Sequence, residues 1–276
     1  MFLSRQICSY FIVAALFFPH LAFGLEVSLP FNDKRGEVLL RDSFNDDDYW
    51  NDITITRYKD HPYDEIRLKP QNEGYVTYIS GTGSHSFTAD LVAEGVYKHQ
   101  DLIPTFMSAL KVSRYIGDGL DPKTGLEYTD IYFLADIKLF FMSVPLRTTR
   151  VDLGDGRYIC TIELITEDMV TAEKWIEYQA VIEEESKQVM TRWAFQAIVP
   201  MEYVYGYYLI EPEETVGSRA TMITQMKFKK NVNILVDIGS DIPFVLRQGM
   251  SAGFIGSVEA CKAYLKILEE TKEEVK

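Results

Sequence analysis

Several groups of residues in this chain have types and spacings that chemistry uses. Gly249-Met250-Ser251-Ala252-Gly253 has the G-x-S-x-G form of a nucleophile elbow, which presents a serine for acyl transfer at a tight strand-to-helix turn. That chemistry needs a histidine to take the serine proton, and in the hydrolases built this way it comes last in the chain. Here the last histidine is His99, far upstream, and the pentapeptide lies inside a helix-spaced pattern. The elbow reading is rejected. His61, His85 and His99 form no H-E-x-x-H, and no cysteine pair stands at zinc spacing, so no metal site is expected. Asp46-Asp47-Asp48 is an acidic cluster, but a calcium loop needs acids at alternate positions and a glycine at the sixth. It reads as a solvated turn. Gly81-Thr82-Gly83 lacks the following helix that a phosphate loop requires, and reads as a β-turn.

Charged residues at strand positions are the remaining candidates for acid–base work: Asp130, Asp136, Glu163, Glu177 and Arg192. Alternation and the rarity of unpaired buried charge place each of them toward solvent. No catalytic residue and no cofactor is assigned.

What must position any site begins with the leader. Arg5 precedes an apolar run from Cys8 to Phe18, and no acid stands before Glu26. The small residues of Ala22-Phe23-Gly24 occupy the two positions a signal peptidase reads. The run meets Pro19 and His20 before the roughly 20 apolar residues of a membrane span. Residues 1–24 are therefore expected to be a cleaved signal peptide, and the protein to be periplasmic or secreted. About 250 residues remain, enough for one large domain with its own core. The whole chain carries a formal net charge of −13, and losing Arg5 makes the remainder more acidic still. Such a surface repels phosphate backbones and anionic headgroups, so no nucleic acid and at most transient membrane contact are expected. Beyond the leader only Cys160 and Cys261 remain, both in apolar stretches that suit buried thiols as well as one disulfide.

Residues 25–72 read as a polar extension with short strands at Ile53–Arg57 and Glu65–Leu68. From Gly74 the pattern turns strongly β. Strands are expected at 75–79, Phe87–Val92, Lys111–Ile116, Thr129–Met142, Tyr158–Ile165, Trp175–Ile182, Met190–Val199, Glu202–Ile210 and Ser218–Lys229, with a helical stretch at Gly95–Leu110. Turns are expected at Gly81–Ser84, Gly117–Gly119, Gly154–Gly156 and Glu211–Glu214. After Ile242-Pro243 the spacing of Leu246, Met250, Phe254, Val258, Cys261, Leu265 and Leu268 predicts one long helix to about Glu270, followed by a polar tail over 271–276.

Asp101-Leu102-Ile103-Pro104-Thr105-Phe106-Met107-Ser108-Ala109-Leu110-Lys111-Val112-Ser113-Arg114 resembles the helix-to-strand segment of START-like (SRPBCC) proteins, in particular the polyketide-cyclase and coenzyme Q-binding branch. Gly206-Tyr207-Tyr208-Leu209-Ile210-Glu211-Pro212 is similar to a later strand of that family, and Ile242-Pro243 to its closing helix. The resemblance covers residues 73–270. It implies an α+β helix-grip fold: a curved antiparallel sheet wrapped around a long C-terminal helix.

That fold leaves a gap between sheet and helix, which side chains fill or which stays open as an apolar cavity. Alternation puts Trp193, Phe195 and Ala197 on one strand face, and Ala220, Met222, Thr224, Met226 and Phe228 on another. Met250 and Phe254 face the same space from the helix. The expected ligand-binding residues are thus Trp193, Phe195, Met222, Met226, Phe228, Met250 and Phe254. The expected partner is a hydrophobic small molecule such as a lipid, a sterol-like polycycle or a quinone. Two alternatives stay open on the same fold: an enzyme of the cyclase or hydrolase type, and an interaction module whose interior is filled.

Overall fold

The structure, a computed structural model, describes residues 31–229 except 33, 46–53, 58–64, 71–74, 86, 99, 102–109, 137–139, 193–196 and 215–216. The leader, the terminal helix pattern with Met250, Ser251 and Phe254, and Trp193 and Phe195 lie outside the described residues. So do Asp46–Asp48, His61, His99 and Cys261.

The chain order is α1 (Lys34–Asn45), β1 (Thr54–Arg57), β2 (Glu65–Pro70), β3 (Tyr75–His85), α2 (Ala89–Lys98), β4 (Leu110–Leu120), β5 (Glu127–Asp136), β6 (Phe141–Gly154), β7 (Arg157–Leu164), α3 (Ala172–Arg192), β8 (Ile198–Glu213) and β9 (Gly217–Phe228). All nine strands join one sheet in the order β1-β2-β3-β9-β8-β7-β6-β5-β4. Neighbours are antiparallel, and the first residues of β8 add a short parallel contact to β6, with Phe141 opposite Ile198. The short strands of the N-terminal extension are β1 and β2, and they hydrogen-bond onto β3 in this same sheet.

The sheet buries both faces. One carries α2, whose Ala89, Val92, Ala93, Val96 and Tyr97 recur every three or four residues and are all buried. Asp90 in its first turn and Lys98 in its last suit the helix dipole. Arg150 on β6 pins this helix through Asp90 (2.5 Å) and Glu94 (2.8 Å). The opposite face carries α1 and α3. Leu39 of α1 and the preceding Phe31 pack on Tyr203, Tyr205 and Tyr207 of β8. Val189 of α3 is buried against Tyr132, Leu134 and Phe141, with Ile182 packed beside it.

Several sequence expectations are corrected. Trp175–Ile182 and the start of Met190–Val199 form α3, not strands, and β8 begins only at Ile198. The β-branched and aromatic content of 175–182 favours a strand, but burial of Tyr178 and Val189 follows a helical stripe. Part of 25–72, read as loop, is α1. Phe87–Val92, read as a strand, leads into α2, which starts at Ala89 rather than Gly95. Thr129–Met142 is the end of one strand and the start of another. Gly81–Ser84 lies within β3, where the register shifts between Thr82 and His85. Gly117–Gly119 lies within β4 beside a bulge, and Glu211–Glu213 is still β8. The turn after β4 is built instead by Asp121, whose carboxylate accepts the backbone N–H of Lys123 and Thr124 (2.9 Å each). The Gly154–Gly156 turn is where expected, with φ of 79°, 51° and 80° along its three residues.

Candidate functional site

On the α2 face the apolar side chains form two clusters. The first joins α2 to Cys160, Ile162, Tyr208, Ile210, Ala220 and Met222. The second joins Leu110, Ile131, Phe133, Phe140, Val144, Val199, Met201, Val204 and Phe228. Leu146 and Met226 pack against both clusters and make the surface continuous. Among the described residues, no helix contributes to the second cluster.

Met222 and Phe228 of the expected ligand-binding set are buried here, and Met226 is part-buried at the junction. Ala220 and Thr224 share their face, as the alternation of β9 requires. Ala197 joins the edge of the second cluster.

Between the two clusters β8 and β9 approach unusually closely. Gly206 of β8 lies directly opposite Thr224 of β9 and Ile162 of β7. A Cβ at Gly206 would stand 2.4 Å from the Ile223 carbonyl oxygen and 2.7 Å from Thr224 Oγ1. Only glycine permits this approach of β9. Thr224 is 3 % exposed, and among the described residues its hydroxyl has no hydrogen-bond partner.

The opposite face holds the charged candidates. Asp130, Arg147, Glu163, Tyr205 and Gln225 are successive cross-strand neighbours from β5 to β9, so one polar row crosses the sheet. Asp130 is fully buried, not solvent-facing as expected. Arg147 grips it through Nε and Nη2, both at 2.8 Å, and the Tyr178 hydroxyl of α3 donates to it at 2.7 Å. Tyr128 lies 3.6 Å beneath the guanidinium. Burial works against the Arg147 charge, but the hydrogen bonds and charge of Asp130 outweigh it and hold its pKa above the ordinary value. Burial, then the Asp130 charge and hydrogen bond, push the Tyr178 hydroxyl well up. That phenol stays protonated and serves as a donor.

Glu163 is also buried, a second correction, and accepts from the backbone and side-chain nitrogens of Asn32 (3.0 and 3.1 Å). Asp136 is part-buried and pairs with Lys111 (3.8 Å), while Glu177 is exposed. The Arg192 side chain lies outside the described residues. Glu163, Asn32, Lys34, Arg35, Asp168, Glu202 and Tyr203 border an open cleft of about 420 Å³ at the start of α1. Arg35 sits 4.3 Å above the Tyr203 ring there. Among the described residues, no group of three or more His, Cys, Asp or Glu is placed to hold a metal ion. Asp130 and Arg147 pair with each other and hold α3 through Tyr178, while Glu163 holds Asn32 just before α1.

Sequence reasoning missed Arg147, Tyr178 and Asn32, whose partners lie far away along the chain. The pairing of Gly206 with Thr224 was readable only once β8 and β9 were known to be neighbours.

No family model and no curated protein matches the chain. Among solved structures, human STARD10 aligns over 91% of this chain and 88% of its own, at 11% identity and a TM-score of 0.55. Human StAR-related lipid transfer protein 5 aligns over 84% of this chain and 96% of its own, at 11% identity and 0.49. A STAR-related lipid transfer protein from Xanthomonas axonopodis aligns over 78% and 98%, at 11% identity and 0.48. The likeness to STARD10 establishes a START-type helix-grip α+β fold.

Proposed function

We propose, on the premise of a START-type helix-grip fold, that this protein binds or carries a hydrophobic small molecule against the α2 face of its sheet. The observation that carries this reading is the continuous apolar surface formed by the two clusters and joined at Leu146 and Met226. Burying an apolar ligand there would gain roughly 25 cal/mol per Å² removed from water. Methionines at 222 and 226 give the wall a soft lining that accommodates a flexible ligand. The sequence expectation of a helix over 242–270 adds Met250 and Phe254 to the proposed ligand contacts.

A pair of substitutions tests the reading. Ala220 is buried among Ala93, Val96 and Met222 in the α2 cluster, so Ala220→Trp overpacks and is expected to lower stability by about 1–3 kcal/mol. Met226, at the part-buried junction, has more room. Met226→Trp is expected to keep the melting temperature within a few degrees while abolishing uptake of a fluorescent lipid probe. If the wild-type chain takes up no probe, or Met226→Trp unfolds it as Ala220→Trp does, the interior is filled and the reading fails.

The carrier would act outside the cytoplasm. N-terminal sequencing of protein from its native host is expected to begin at Leu25. An intact Met1 in the membrane fraction would refute export by a cleaved leader.

A further inference from the structure

We propose that the cleft beside the start of α1 is a second binding site, and that it takes a small zwitterion of the α-amino-acid class. The proposal is independent of the carrier reading, because the cleft lies on the face of the sheet opposite α2. It opens where two strands part. β7 and β8 pair as far as Glu163 opposite Tyr205, and β8, traced back from there, leaves β7 and lies beside Phe141–Ser143 of β6. Asn32 and the first residues of α1 border the gap, an open cleft of about 420 Å³ that falls within the size range of small-molecule sites.

The lining carries both signs of charge, and they come from different elements. Lys34 and Arg35 belong to the first turn of α1, Glu202 to β8, and Asp168 to the short 3-10 turn Glu167–Met169 that follows β7. These four are exposed, whereas Glu163 is 4 % exposed. Arg35 is held 4.3 Å above the Tyr203 ring, so it loses less freedom when it grips a carboxylate. Asp168 is held by the Thr166 hydroxyl, which donates to it at 2.5 Å. Leu164 and Val204 pack their side chains on the α2 face, so they present main chain to the cleft. A ligand with one ammonium and one carboxylate meets a partner for each. A ligand with a single charge is attracted by one set of groups and repelled by the other. A phosphate in place of the carboxylate suits the cleft less, because its roughly −1.5 to −2 charge would face three carboxylates with only two cations to hold it.

The test is titration calorimetry of the purified protein with L-leucine, 4-methylpentanoate and 3-methylbutylamine. The last two are leucine without its amino group and leucine without its carboxyl group. Leucine is expected to bind about tenfold more tightly than either. Arg35→Met should weaken leucine about tenfold and leave 3-methylbutylamine unchanged. Asp168→Asn should weaken leucine several-fold and leave 4-methylpentanoate unchanged. Arg35 packs on Tyr203, so if its variant fails to fold the exposed Asp168 carries the test. Uptake of the fluorescent lipid probe should be the same with and without leucine. No leucine binding, equal affinities for all three compounds, or leucine binding unchanged in Asp168→Asn would overturn the site while the carrier reading stands. Leucine that displaces the lipid probe would also overturn it, since the ligand would then sit on the α2 face. Binding of O-phosphoethanolamine with no binding of leucine would overturn the amino-acid class.

Discussion

Replacing Arg147 with methionine is expected to destabilise the folded chain by about 3–5 kcal/mol, read as a lower midpoint in urea unfolding. The change leaves the Asp130 carboxylate buried with only the Tyr178 hydroxyl against it. An ion this deep cannot recover its hydration, so the loss is set by the stranded charge more than by the missing attraction. Removing both charges is expected to be far milder: Asp130→Leu combined with Arg147→Met should recover most of the loss, because well-packed apolar residues can replace a buried ion pair at little cost. The recovery will be incomplete, since Tyr178 then lacks its acceptor. A single-variant loss below about 1 kcal/mol would mean that water reaches Asp130 and that the pair does not anchor α3.

The second large effect is expected at Gly206. Changing it to alanine places a methyl group 2.4 Å from the Ile223 carbonyl oxygen and 2.9 Å from the Thr224 Cα. Both are backbone atoms of a strand hydrogen-bonded on each side, to β3 and β8. No rotamer change relieves the contact, so the strands must part. The expected loss is about 3 kcal/mol, at the upper end of overpacking effects, with Gly206→Val worse than Gly206→Ala. Thermal unfolding of the two variants beside wild type decides it. Equal melting temperatures for all three would show that β8 and β9 do not approach closely at this point.

The elements legible in the sequence are those whose alternation is clean. Ala220, Met222, Thr224, Met226 and Phe228 are spaced by two, Met226 part-buried and the others buried, so both the strand and its inward face could be read. α3 was not legible as a helix, because Trp175, Ile176, Val181 and Ile182 are strand formers. Its stripe of Tyr178, Ile182 and Val189 shows only against the sheet. The burial of Asp130 and Glu163 was beyond sequence reasoning for a different reason. A carboxylate is placed inward by what it meets, and the meeting of Asp130 with Arg147 depends on the register of β5 against β6. The register is a property of the assembled sheet, which no local window contains.

The strand order sets a timetable for the newborn chain. β3 closes onto β9, with His85 opposite Ser218, so two edges roughly 130 residues apart in sequence must wait for each other. At ordinary translation rates that interval is on the order of ten seconds, during which β1 to β3 are made but β9, the inner neighbour of β3, is not. Until Phe228 has emerged, β3 offers an open row of backbone donors and acceptors, which is a template for wrong pairing. A holdase that covers β3 during this window would keep that row from pairing wrongly until β9 arrives.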